Sequence, residues 1–293
     1  MKYIFFGTPN FAAVILNRLI EAGMPPAAVV CNPDKPAGRK KILTKPPTKI
    51  IAEQHNIPVW QPESLEIRNW ELEIEKLGGV DFAVVAAYGK ILRPEFLNSL
   101  PAKFIGVHPS LLPKYRGATP IQSAILNDEK KTCATLFLID EKVDHGPIIA
   151  RRETRIANRN YQELEKELAE IGANLLIGVL LKLKQSSGNQ ASFAEAGFPP
   201  IPQNETEATY TKKFKSENGF VDLKKDDPKL IYRKILALNP EPGVYTIING
   251  KRVKLLEADL ADSKLKLKKI QIEGKKPTTK LSQNRVWGIA TGN

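Results

Sequence analysis

Cysteine is nearly missing from this chain: Cys31 and Cys133 are the only two in 293 residues, too few for a disulfide-stapled scaffold. Neither stands in a CxxC or Cys/His spacing that would hold a metal or a redox pair, so a reducing, cytoplasmic setting fits. Histidine is as scarce, with three residues. No run approaches the roughly 18 apolar residues that would cross a bilayer, so a membrane partner is not expected. The opening MKYIFFGTPNFAAVILNRLIEAG carries a lysine ahead of apolar residues but lacks the small-residue cleavage site of a signal peptide. It reads better as the first strand, turn and helix of an α/β domain. A GxGxxG phosphate loop is also missing, which leaves a dinucleotide site without support. No internal repeat is visible.

What the chain does have is ordinary globular composition, 42% hydrophobic and 26% charged, with a formal net charge of +12. The excess is uneven. Residues 206–293 hold 19 Lys and Arg against 10 Asp and Glu, a net +9, whereas residues 1–205 hold 25 against 22, a net +3. A lysine-rich solvated surface would account for this, and so would a site for a phosphate backbone.

The length suggests two cores. Over residues 1–184 short β-branched or aromatic runs (KYIFF, AAVVCN, DFAVVAAY, FIGVH, ATLFLID) alternate with helical patterns (FAAVILNRLIEA, PTKIIAEQH, PIQSAILN), and YQELEKELAEIGANLLIGVLLKLK is a long amphipathic helix. The expectation is an α/β unit with a mostly parallel, Rossmann-like sheet whose functional residues follow its strands. Residues 185–205, rich in Ser, Gly, Pro, Asn and Gln, read as a linker. Residues 206–293 combine one helix with alternating strands and an Asn249-Gly250 hairpin signal, which suggests a small β-barrel.

Four segments invite chemistry. Gly7-Thr8-Pro9 joins a strand to a helix, where backbone N–H groups meet anions, although a purely structural turn explains it too. The stretch CNPDKPAGRKKILTKPPTK is too polar and proline-rich for a buried element and reads as a long exposed loop. Arg39, Lys40 and Lys41 at its tip are either a solvated face or a grip on a nucleic-acid backbone. In FIGVHPSLLPKYRGATPIQ, residues 104–122, His108 ends a strand, where open α/β sheets place ligands. In FLIDEKVDHGPII, residues 137–149, Asp140, Glu141, Asp144 and His145 follow another strand. Acidic turns are commonly surface features, but a carboxylate beside His108 would orient the imidazole and raise its proton affinity.

At residues 108–117, His-Pro-Ser-Leu-Leu-Pro-Lys-Tyr-Arg-Gly, and at Asp144-His145-Gly146, the chain resembles the folate-dependent formyltransferases. The FFGTPNFA start, the PDKPAGRKK loop, the ATPIQ run and the EGKKP segment resemble those members that act on methionyl initiator tRNA. The resemblance covers nearly the whole chain. It implies the formyltransferase fold followed by an OB-like C-terminal barrel, with 10-formyltetrahydrofolate as co-substrate, no metal, and initiator methionyl-tRNA as partner of a monomeric, cytoplasmic enzyme. The N-terminal domain would bind the folate, Arg39, Lys40 and Lys41 would enter the tRNA acceptor region, and the basic C-terminal domain would add phosphate contacts. His108 and Asp144 would be catalytic. Ser110, Leu111, Leu112 and Pro113 would line the folate site together with Ala87, Tyr88, Gly89, Ile91, Ile139, Asp140 and Val143.

One position departs from the family pattern: Gly106 stands where an Asn amide is expected to help bind the developing oxyanion, a donor typically worth about 10² to 10³ in rate. An engineered variant, a natural site with a substitute donor, and a catalytically weakened chain all remain open. In the first case Gly106→Asn would raise turnover. The alternatives to the main reading are an amino-sugar or nucleotide N-formyltransferase and an RNA-binding relative that has lost catalysis.

Overall fold

A computed structural model describes residues 1–38, 41–64, 67–99, 103–186 and 192–279. The elements in chain order are β1 (Tyr3–Gly7), α1 (Asn10–Glu21), β2 (Ala28–Val30), β3 (Lys35–Ala37), β4 (Ile42–Thr44), α2 (Pro47–Gln54), β5 (Val59–Trp60) and α3 (Ile67–Lys76). Next come β6 (Phe82–Ala86), α4 (Pro94–Ser99), β7 (Lys103–His108), β8 (Arg116–Gly117), α5 (Pro120–Leu126), β9 (Lys131–Leu138), β10 (Ile148–Arg155) and α6 (Tyr161–Gln185). The chain then passes through β11 (Tyr210–Thr211), α7 (Pro228–Leu238), β12 (Tyr245–Ile248), β13 (Lys251–Ala261) and β14 (Lys264–Ile272).

The contacts gather these elements into two compact units that interleave along the chain. The first contains the described residues within 1–117, 133–154 and 165–210; the second contains those within 118–132, 155–164 and 211–279. These boundaries differ from a cut at 184 and 206, because α5 groups with the C-terminal segment and residues 192–210 group with the first unit. Phe193 and Ala196 are buried there, so the described part of the expected linker, otherwise largely exposed, is anchored at these side chains.

The first unit is built on a seven-stranded sheet of order β10-β9-β7-β6-β1-β2-β5. The five strands from β7 to β5 run parallel, and β9 runs antiparallel to β7. Near-continuous apolar runs such as YIFFG and FAVVA suit strands covered on both faces. On one face Ile4, Phe6, Val30, Ala83 and Phe104 pack against Trp70 and Ile74 of α3 and Phe96 of α4. Phe6 alone meets four rings, those of Trp70, Tyr88, Phe96 and Phe104. Side chains alternate along a strand, so Gly106 and His108 share this face with Phe104. The expected basic loop contains a short antiparallel hairpin, β3 with β4, whose Ile42 and Leu43 are exposed.

In the second unit α7 buries Ile231, Ile235, Ala237 and Leu238. Asp227 caps its N-terminus by accepting from the Lys229 N–H, with Pro228 in the first turn. The described strands form a three-stranded antiparallel sheet of order β12-β13-β14. Its first hairpin turns at Asn249 (φ 48°) and Gly250 (φ 74°), the left-handed pair that an Asn-Gly signal predicts. Along β14 lysines alternate with Leu265, Leu267 and Ile270, which gives one wet and one packed face.

Candidate active site

The parallel register decides where the site lies. Val85 of β6 pairs with Gly106 of β7, which sets Ala87 level with His108 at the carboxyl edge of the sheet. The chain after β6 therefore opens beside the loop after β7. Ala87 (φ 45°) and Gly89 (φ 80°) turn sharply there, and Ile91 (78%) and Val143 (52%) are exposed apolar side chains.

Asp144 arrives by a different route. Because β9 is antiparallel, its C-terminus lies at the Phe104 end of β7, where the Ile139 N–H donates to the Phe104 carbonyl. The following loop must run back along the sheet to reach His108. Gly146 makes that return possible: it lies so close to the Leu138 carbonyl that a Cβ would stand 1.8 Å from the oxygen. The Leu138 N–H donates to the Pro147 carbonyl and closes the loop. Asp144 itself sits at φ 48°, with Oδ2 accepting the Gly117 N–H at 2.7 Å.

The result is a facing pair. Nδ1 of His108 and Oδ2 of Asp144 are 3.6 Å apart, with the imidazole buried and the carboxylate partly accessible. Nε2 of His108 lies 3.0 Å from the Tyr115 carbonyl. A carbonyl can only accept, so Nε2 carries a proton and Nδ1 is the nitrogen that faces Asp144. Tyr115 takes φ 62° to present that carbonyl, and its own N–H is held by the Thr209 hydroxyl.

Gly106 is filled from across the strand pair. Phe137 is its direct partner, and a Cβ on Gly106 would stand 2.3 Å from Cε1 of the buried Phe137 ring. The ring occupies the space an Asn side chain would need. Position 106 therefore offers no side-chain donor, and Phe137 leaves none room to enter.

The residues expected to line a folate divide by side-chain direction. Ser110 is fully buried, donates its hydroxyl to the Lys114 carbonyl, and its own carbonyl accepts from Thr135. Leu112 is fully buried, and Tyr88 is inside the aromatic cluster with Phe6. These three hold the loops and can offer a ligand only backbone. Leu111, Pro113 and Ile139 are half-buried, and Asp140 is bound by Nδ1 of His145 at 2.6 Å. Lys41 is an exposed turn residue at φ 50°; Arg39 and Lys40 lie outside the described residues.

Sequence reading missed the group that supports this pair. Arg116 is fully buried and binds Gln203 (Nε 3.1 Å, Nη2 2.8 Å), both carboxylate oxygens of Glu205 (3.1 and 2.6 Å) and the Tyr210 hydroxyl (3.1 Å). The hydrogen bonds from Arg116 hold the Glu205 carboxyl below its usual range, and the Glu205 side chain raises the affinity of Arg116 for its proton. Nε2 of His145 lies 3.5 Å from Oε1 of Glu205. No local pattern in FIGVHPSLLPKYRGATPIQ signals this network; it follows from the burial of Arg116, since a buried guanidinium demands acceptors. Among the described residues no cluster of His, Cys, Asp and Glu could hold a metal.

Known proteins give the arrangement a context. The Formyl transferase family matches residues 1–180, and the Formyl transferase, C-terminal domain family matches residues 213–266. Methionyl-tRNA formyltransferase of Halalkalibacterium halodurans is 40% identical over 266 residues, covering 90% of this chain and 80% of that protein. The fold matches methionyl-tRNA formyltransferase from Clostridium thermocellum with a TM-score of 0.63 at 18% identity, over 93% of this chain and 98% of the other. It also matches HypX from Aquifex aeolicus in complex with tetrahydrofolic acid, with a TM-score of 0.63 at 17% identity, over 98% of this chain and 47% of that one.

Proposed function

Because the chain belongs to the formyl transferase family, we propose that it transfers a formyl group from 10-formyltetrahydrofolate to the α-amine of methionyl initiator tRNA, giving the formylated tRNA that starts translation. One observation carries the chemistry: His108 and Asp144, 36 positions apart in sequence, face each other across 3.6 Å at the edge of a parallel sheet.

The co-substrate supplies the formyl carbon. Three segments converge on His108 to receive it: the turn after β6, residues 108–113, and the returning loop that carries Val143 and Asp144. The exposed Ile91 and Val143 give this rim apolar surface for a flat ring system, and the positively twisted backbone at Ala87 and Gly89 leaves peptide groups to read polar edges. As the amine adds to the formyl carbon, the formyl oxygen becomes negative, and Nδ1–H of a protonated His108 is the donor for it, with Asp144 holding the imidazolium. Asp144 also takes the proton that the attacking nitrogen must lose, directly or through a water at its accessible edge. The leaving folate nitrogen gains a proton from the same pair. Residues 206–279 and the loop bearing Arg39, Lys40 and Lys41 supply positive charge for the tRNA backbone.

Incubation with 10-formyltetrahydrofolate and methionylated initiator tRNA tests the reading. Formyl-methionine bound to tRNA supports it, formylation of an amino sugar in its place assigns a different acceptor, and RNA binding with no transfer would reject catalysis.

A further inference from the structure

We propose that Gln203 is a positioning residue for the transfer site, acting through Asp144; the claim rests on the function proposed above. Asp144 has to hold its carboxylate against Nδ1 of His108 from a left-handed backbone conformation, which an L-residue adopts at an energetic cost. One side chain binds both ends of this turn. Nε2 of Gln203 donates to the Asp144 carbonyl at 2.9 Å and to the Gly146 carbonyl at 2.8 Å, bridging the ends of the Asp-His-Gly turn. The Gln203 carbonyl oxygen accepts from Nε and Nη2 of Arg116.

An amide offers two N–H donors and one oxygen with two lone pairs, and here all of that capacity is in use. No carboxylate, hydroxyl or alkyl group can make the same four contacts. Arg116 is in turn immobilised by Glu205 and Tyr210, and the next residue, Gly117, gives its N–H to the Asp144 carboxylate. Gln203 thus ties the segment at 203–210 to the turn that aims the carboxylate, from 95 residues beyond His108 in the sequence. A displacement of about 1 Å at such a position costs on the order of 100-fold in rate.

The experiment compares the full-length chain with Gln203→Leu, which loses all four contacts, and Gln203→Glu, which keeps the acceptor for Arg116 but loses both donors. The proposal expects kcat to fall by about 10- to 100-fold in both, with KM for 10-formyltetrahydrofolate and for methionyl-tRNA changed by no more than about twofold. It also expects non-additivity: in an Asp144→Asn background the substitution at 203 adds almost nothing. The same loss of kcat with and without Asp144, or an unchanged kcat in Gln203→Glu, overturns it. A readout free of turnover is the NMR chemical shift of the His108 ring, one of three imidazoles in the chain. Gln203→Leu shifts it in the same direction as Asp144→Asn, because in both the ring loses its facing carboxylate. An unchanged shift rejects the proposal even if the chain transfers no formyl group, whereas absence of transfer by the unaltered chain rejects only the function.

Discussion

One nitrogen of His108 is committed to the Tyr115 carbonyl, so whatever the residue does for the reaction it does through Nδ1. Replacing it with alanine should lower kcat by about 10²- to 10⁴-fold, the range for a positioned proton donor, while folate binding by fluorescence titration stays near normal. A near-normal rate would remove His108 from the chemistry. Two positions away the expectation from sequence has to change. If the chain were a disabled variant, Gly106→Asn would restore turnover, but the Phe137 ring already fills that space. The single substitution should cost about 1–3 kcal/mol of stability in urea unfolding and raise no turnover. Pairing it with Phe137→Ala makes room, and a rise in kcat only in the pair would show that the two positions trade volume. Cys31 is fully buried, and burial pushes its thiol up to about 11. It should resist alkylation at pH 8 in the folded chain and react on unfolding, as followed by mass spectrometry.

Among the elements, those with strong local patterns were legible. The strands KYIFF, DFAVVAAY and FIGVH, helix α6 and the Asn249-Gly250 hairpin all follow from period and turn chemistry. The direction of β9 did not, because an apolar run reads the same parallel or antiparallel. That direction is what forces the turn at 144–146 to double back and brings Asp144 home. Residues 185–205 have the composition of a linker, and the contacts that Gln203 and Glu205 make with Arg116 are ones that no local pattern reveals. Those partners give the segment a pH dependence. The Glu205 carboxyl is held below its ordinary value of 4.5, chiefly by hydrogen bonds from Arg116, so the stability it contributes is complete above pH 4.5 and is lost as pH falls through the lower folded value. Glu205→Gln should flatten the acid side of the thermal-stability profile, and an unaltered acid side would show the pair to be silent. In the first unit's core, Phe6→Ala removes a fully buried ring that touches four others and should cost about 3–5 kcal/mol in denaturant unfolding.

For the whole molecule the relevant quantity is charge. A net +12, concentrated beyond residue 205, predicts that KM for methionyl-tRNA rises steeply between 50 and 200 mM salt while KM for the folate hardly moves. Equal salt sensitivity would place the positive charge away from the RNA. Substituting Lys41, exposed at its turn beside the β3–β4 hairpin, should likewise weaken tRNA use and spare folate affinity.

The amino-acid sequence by itself determined the alternation of strands and helices, the basic C-terminal segment and the placement of His108 at a strand end, because each is written in local period, local composition or a residue next to an apolar run. Tertiary structure alone decided the route by which Asp144 reaches His108, that Gly106 is closed by Phe137, and that Gln203 and Arg116 brace the turn. Those contacts join residues tens of positions apart, and their existence depends on strand direction and on the need of a buried guanidinium for acceptors, neither of which leaves a periodic trace in the chain.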